Sequence, residues 1–355
     1  MRKLSFGFTL LLALGLILAA CQPAAPTAAE PTAPPAEPTS PPAEPFRVAV
    51  VMPSAINDLA FSQSMYDGLV AIQNEMGADA FEIAYSESMF VIEDAAAAIR
   101  DYASQGFNLV IAHGSQYGSS LVEVAPDFPE TSFAWGTTVD TFTDQGISNV
   151  FAYEARSEEG GYVNGVIAAT LSQSGIIGVI GPIETGDAKL YVDGFTAGVL
   201  ATDPDASVTP IWTGSFSDTA LASQAAQTHI DSGADVLTGT AQMVTGAIGV
   251  AKEQGVLWFG TQSAQTSLAP EIVVASQVYH WEVVLREIVN LVMGGTLGGQ
   301  AFAIDLANGG EVIEFNSAFE LPANSADLMS DVLGLADLKI QGIIDGSITV
   351  ELPAE

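Results

Sequence analysis

Cysteine is almost absent from this 355-residue chain: Cys21 is the only one. A lone cysteine excludes an internal disulfide framework and any thiolate metal cluster. Histidine is nearly as scarce, with His113, His229 and His280 far apart in the chain, so neither a metal site nor a nucleophile–base pair has obvious partners. Basic residues number 9 against 42 acidic ones, for a net charge of −33. A field of that sign repels phosphate backbones, which removes nucleic acids from the expected partners. Charged residues make up only 14% of the chain and form no long runs, so the acidity belongs to a solvated surface. The sequence also lacks G-x-S-x-G, a P-loop, G-x-G-x-x-G and H-E-x-x-H. Gly181-Pro182-Ile183-Glu184-Thr185-Gly186 has no Lys-Ser/Thr ending and carries a carboxylate, so it reads as a strand-to-helix turn. No catalytic residue, cofactor or metal ligand is expected, and the protein is not expected to be an enzyme.

Arg2 and Lys3 precede an apolar run from Phe8 to Ala20 that ends at Cys21. The run is too short to cross a bilayer as a mature helix and has the layout of a secretory signal peptide over residues 1–20. Leu18-Ala19-Ala20-Cys21 resembles a bacterial lipobox, which implies cleavage before Cys21 and a lipid on its sulfur. From Gln22 to Pro45 the chain is almost wholly Pro, Ala, Thr, Glu and Ser. That composition offers no apolar face to bury, so residues 21–45 read as a disordered tether between lipid and folded body. About 310 residues remain, enough for two ordinary domains.

Phe46–Met52 is an apolar run of strand length, and Asn57–Gly77 shifts to helical spacing. The order recurs through strands at Ala80–Ala84, Leu109–His113 and Thr131–Trp135, with helices at Glu93–Ser104 and Ser119–Ala125. Alternation of this kind predicts a parallel sheet covered by helices. The plan restarts at Gly175. Tyr66-Asp67-Gly68-Leu69 is echoed by Val192-Asp193-Gly194-Phe195, Gly106–Val110 by Gly233–Leu237, and Trp135-Gly136-Thr137 by Phe259-Gly260-Thr261, all at an offset near 125 residues. The constant offset predicts two similar Rossmann-like α/β lobes. One is expected to hold residues 46–152 and about 278–303, the other 153–277 and about 304–355. Ligands of open parallel sheets bind beyond the carboxyl ends of the strands. The expected walls of an interlobe cleft are therefore the loops Pro53–Ser62, Tyr85–Met89, His113–Tyr117, Gly181–Asp187, Trp212–Asp218, Gly239–Met243 and Gly260–Gln265. Their Gly, Ser, Thr, Gln and aromatic content suits a neutral polar ligand.

Asn57–Gln63 with Tyr66–Leu69, Glu158–Ala168, Gly194–Gly198, Trp212–Asp218, Gly233–Val236 and Ser276–Trp281 together resemble the basic membrane protein family of substrate-binding lipoproteins, over essentially Phe46 to Pro353. The resemblance implies a type I periplasmic-binding-protein fold and an extracytoplasmic, lipid-anchored receptor of an ABC importer. It further implies a purine base or nucleoside as ligand, an ABC permease as partner, and a monomer. The family aromatic that stacks on the purine falls on Phe61, and the neighbouring Asp58 would fix the loop or the base. Phe216, in the matching loop of the second lobe, would complete a sandwich, with Asp218 beside it. The chain departs from the family at Ser62, where many relatives have Asn, and at Gln262, where nucleoside binders have a carboxylate for the ribose hydroxyls. Free base or another polar ring is thereby favoured over nucleoside. Gln116 and Gln242 at strand ends, and Glu158 and Glu159 at the first lobe crossover, are further polar candidates. Trp281 is expected to pack in the hinge. The competing readings are a sugar or autoinducer receptor on the same fold, a sensory lipoprotein feeding a receptor kinase, and a lipoprotein enzyme.

Overall fold

The computed structural model describes residues 44–320 and 326–353. The expected signal peptide, Cys21 and nearly all of the tether lie outside the described residues.

The first lobe is built from β1 (Phe46–Val51), α1 (Phe61–Met76), β2 (Phe81–Ser86), α2 (Ile92–Ser104), β3 (Leu109–Ala112), α3 (Gly118–Val124), β4 (Ser132–Gly136) and β5 (Val150–Ala155). Strands covered by helices on both faces need apolar residues on both, and β1 and β3 are accordingly buried almost throughout. α1 begins at Phe61, not at Asn57. The Asp58 carboxylate takes the first-turn amides, accepting from the N–H groups of Ala60 at 2.8 Å and Gln63 at 3.1 Å through Oδ1 and of Ser62 at 3.2 Å through Oδ2. Amides satisfied in this way hold Asn57–Ala60 as an ordered loop ahead of the helix.

After α4 (Ser157–Leu171) the plan repeats as β6 (Ile176–Gly181), α5 (Gly186–Thr202), β7 (Ser207–Trp212), α6 (Thr219–Asp231), β8 (Val236–Gly239), α7 (Val244–Gln254), β9 (Leu257–Gln262) and β10 (Val273–Tyr279). The chain then runs through α8 (Glu282–Met293), β11 (Ala301–Ile304), β12 (Glu311–Phe315) and α9 (Ala326–Ile344). The two six-stranded sheets have the orders β11-β5-β4-β3-β1-β2 and β12-β10-β9-β8-β6-β7. These are one order written twice, parallel throughout except that β12 runs antiparallel to β10. This is the two-lobed α/β architecture that the internal repeat predicts. The chain passes between the sheets after β5, between β10 and α8, and after β11. α8 packs onto α1, with Val284, Leu285 and Ile288 in the core under β1. Trp281 is fully buried there, its indole N–H donating to Ser64 Oγ at 3.1 Å.

The Gly-rich strings singled out in the sequence have a packing reason. α4 crosses α5 with backbone against backbone: a Cβ on Gly161 would sit 2.6 Å from the Tyr191 carbonyl oxygen. Gly165, Gly194 and Gly198 are closed off in the same way by the Phe195, Glu158 and Tyr162 carbonyls. Only glycine allows helices to approach so closely. The crossing fixes the N-terminal end of α5, which faces the cleft.

Candidate functional site

The carboxyl ends of the two sheets enclose a small cavity between them, the place where open α/β sheets bind their ligands. The lobes touch around it. Ser263 Oγ of the second lobe donates to the Ala60 carbonyl at 2.9 Å, and Gln265 Nε2 lies 3.4 Å from the Leu59 carbonyl.

Phe61 and Phe216 both line the cavity. The Phe61 ring is held from behind by His113, with centroids 3.7 Å apart and planes 10° from parallel. His113 is itself fully buried, and burial pushes its imidazole down to about 3, so the ring is neutral. Its tautomer follows from its partners. The Phe61 carbonyl, 3.1 Å from Nε2, can only accept, so Nε2 carries the hydrogen and Nδ1 accepts from Tyr153 Oη at 2.8 Å. The histidine thus grips both the ring and the backbone of Phe61 and leaves the other ring face to the cavity. Phe216, half-buried, comes from the loop between β7 and α6, which answers to the β2–α2 loop of the first lobe and not, as expected, to the loop that carries Phe61.

Gln116 lies beyond β3 and Gln242 beyond β8, equivalent loops of the two lobes, and both line the cavity. Gln262 closes β9 with a left-handed φ of 70°, and the chain beyond β4 does the same at Thr137 with φ 65°. Ala241, next to Gln242, has φ 72°. Left-handed backbone at three non-glycine wall residues, one of them β-branched, is the kind of local strain that clusters at binding sites. Several buried polar atoms of the wall have no hydrogen-bond partner: Thr137 Oγ1, Gln242 Nε2, Gln262 Oε1 and both carboxylate oxygens of Asp187. A buried polar group left unmade costs about 1–3 kcal/mol, so this set marks where a polar ligand would be bound. Among the described residues no lysine or arginine lines the cavity.

The structure therefore brings together Phe61, Gln116, Phe216, Gln242 and Gln262. It places the other expected contacts elsewhere. Asp58 caps α1. Ser62 is buried against Ser54, with the two hydroxyl oxygens 2.7 Å apart. Asp218 caps α6, accepting from the N–H groups of Ala220 and Leu221 at 3.0 Å each. Glu159 accepts from the Leu306 N–H at 3.2 Å, clasping α4 to the segment after β11. Glu158 pairs with Arg156 at 2.7 Å. Short polar side chains next to helix starts satisfy orphan amides before they reach a ligand.

Thr137 lies outside the expected wall loops, and Asp187, the last residue of the expected Gly181–Asp187 wall, was not singled out as a contact. Asp187 was visible through the repeat: the offset of about 125 residues that carries Tyr66–Leu69 onto Val192–Phe195 also carries Phe61 onto Asp187. Both side chains occupy the first turn of the helix that follows the opening strand of their lobe. Burial pushes the Asp187 carboxyl well above the usual carboxylate range, and the charge of Glu154 adds to the effect. Among the described residues no group of His, Cys, Asp and Glu could hold a metal ion.

Residues 46–346 match the family model described as ABC transporter substrate-binding protein PnrA-like. A relative named purine-binding protein, from Brucella abortus, is 32% identical over 222 residues, which is 62% of either chain and thus less than two thirds of that relative's length. The transcriptional activator protein med of Bacillus subtilis is 29% identical over 265 residues, covering 74% of this chain and 80% of the relative. Among solved structures, an ABC transporter solute-binding protein from Conexibacter woesei superposes with a TM-score of 0.68 over 86% of this chain and 99% of its own, at 22% identity, a similarity of fold.

Proposed function

Because the chain belongs to the family of PnrA-like ABC transporter substrate-binding proteins, we propose that its cleft binds a small, neutral, purine-type heteroaromatic ligand and that hinge closure presents the bound form to a membrane permease. The observation that carries the reading is the cavity wall itself: Phe61 and Phe216 from opposite lobes, together with unpaired buried polar atoms in the same wall. A flat heteroaromatic ring offers a polarisable face to each phenyl and polar edges to the amides. The purine-binding name of the Brucella abortus relative supports the same ligand class. Nucleotides fit poorly, since a phosphate would enter a site with no basic side chain and with the Asp187 carboxyl in its wall. Three backbone crossings between lobes are the hinge on which such clefts close. No described helix is long and apolar enough to cross a membrane, and in this reading Cys21 carries the lipid that holds the receptor at the outer face of the cell membrane. The protein works as a monomer without a cofactor and performs no chemistry on its cargo.

A thermal-shift panel of purine bases, nucleosides and sugars tests this, because a ligand that binds only the folded state raises its stability by RT ln(1 + [L]/Kd). Stabilisation by bases or nucleosides is expected. Stabilisation by sugars alone would replace the reading with that of a sugar receptor. The regulatory name of the Bacillus subtilis relative favours a second reading, a sensory lipoprotein, which is separated by whether deleting the gene abolishes uptake of the ligand.

A further inference from the structure

We propose that Asp187 is the specificity-determining residue of the cleft, accepting from two adjacent hydrogen-bond donors on the ligand. This rests on the cleft being the ligand site and names the chemistry it selects. Asp187 is only 4% exposed, lies on the cavity wall, and has no hydrogen-bond partner for either carboxylate oxygen. The other unpaired groups of the wall are adaptable: the Gln242 and Gln262 amides can turn either end toward a ligand, and the Thr137 hydroxyl both donates and accepts. An ionised carboxylate only accepts, and its two oxygens match two donors side by side. Asp187 therefore sets the polarity of the ligand edge that reaches it, at the position where the first lobe places its stacking Phe61.

The groups facing this carboxyl are Tyr153, Glu154 and the Ala155 backbone N–H of β5, Glu158 of α4, its own backbone N–H and Tyr279 of β10, none of them cationic, and the two N–H groups lie too poorly aligned to satisfy either oxygen. No cation faces the carboxyl, and burial pushes it well above the ordinary carboxylate range. A ligand that brings two N–H or O–H donors stabilises the ionised form, so binding releases a proton. Two sources supply the donor pair: the ring N–H and exocyclic amino group of a 2-amino-6-oxopurine, or the cis-diol of a ribose.

Isothermal titration of the full-length protein with guanine, hypoxanthine, inosine, 2′-deoxyinosine and ribose separates the sources. Wild type is expected to prefer guanine over hypoxanthine, or inosine over 2′-deoxyinosine, by about 10- to 100-fold, the scale of hydrogen bonds to a charged group. Asp187→Asn, with one acceptor and one donor, should erase that preference and leave binding of hypoxanthine or 2′-deoxyinosine in place. A preference that survives in Asp187→Asn, or no preference in wild type, overturns the proposal. Proton release on wild-type binding, read from titrations in buffers of different ionisation enthalpy, needs no variant, and its absence is equally fatal. Ribose bound by wild type alone, with every purine and nucleoside rejected, keeps Asp187 and sinks the purine reading. Rejection of all five sinks both.

Discussion

Replacing Phe61 by alanine probes fold and site at once. The ring is 8% exposed, one face stacked on His113 and the other on the cavity wall. A Phe→Ala change in a closed core costs about 3–5 kcal/mol, part of it for the void left behind. Here one side of the ring already borders atom-free space, so the new void merges with an existing one and the expected loss is about 2–3 kcal/mol. The affinity loss is separate, about 1–3 kcal/mol for a base stacked on an aromatic side chain. Phe61→Leu distinguishes the two effects. Leucine refills most of the volume and should lower stability by less than about 1.5 kcal/mol, yet it offers no aromatic face, so affinity should stay near that of the alanine variant. Urea unfolding and calorimetric titration on the same preparations supply both numbers. If Phe61→Leu binds like wild type, the stacking role is wrong and Phe61 is a core residue that happens to border the cavity.

Gly161→Ala forces a Cβ against the Tyr191 carbonyl at 2.6 Å, and pushing α4 from α5 should cost about 1–3 kcal/mol of unfolding free energy; an unchanged urea midpoint would refute the close-crossing argument. His113 has a folded-state value near 3, below the ordinary 6.5, so between those values the unfolded chain binds the extra proton. Stability contributed by its burial is whole above about pH 6.5 and falls as pH drops toward 3, by up to about 1.4 kcal/mol per pH unit. Stability-versus-pH curves of wild type and His113→Gln should therefore diverge below pH 6.5, and parallel curves would show that the histidine is not buried neutral. Cys21→Ala should leave an unlipidated protein that fractionates away from membranes with its purine-free unfolding midpoint unchanged, and persistent membrane association would exclude the lipid anchor.

Composition alone argued against nucleic acid, disulfides and thiolate metal sites, because these need residue types that 355 positions scarcely contain. The lobes were legible through buried β-branched strands and through a repeat whose equivalent strings keep one spacing. The loops beyond the strands named the cleft, and Phe61, Gln116, Phe216, Gln242 and Gln262 line it. Which polar side chains in those loops reach the cavity could not be read locally. Asp58 and Asp218 look like ligand residues in sequence, yet their oxygens are taken by helix-start amides a few residues away. Ser62 is turned toward Ser54, and Glu159 toward a backbone N–H some 150 positions later. Asp187 sits in an equally ordinary helix start and keeps both oxygens free. The difference lies in the surroundings, since β5, α4 and β10 close around Asp187 with no cation and, beyond the backbone N–H groups of Ala155 and Asp187 itself, no well-aligned donor. Hydrogen-bond satisfaction depends on partners far apart in the chain, and only the packing of both lobes decided which carboxylate was left unpaired in the cavity wall.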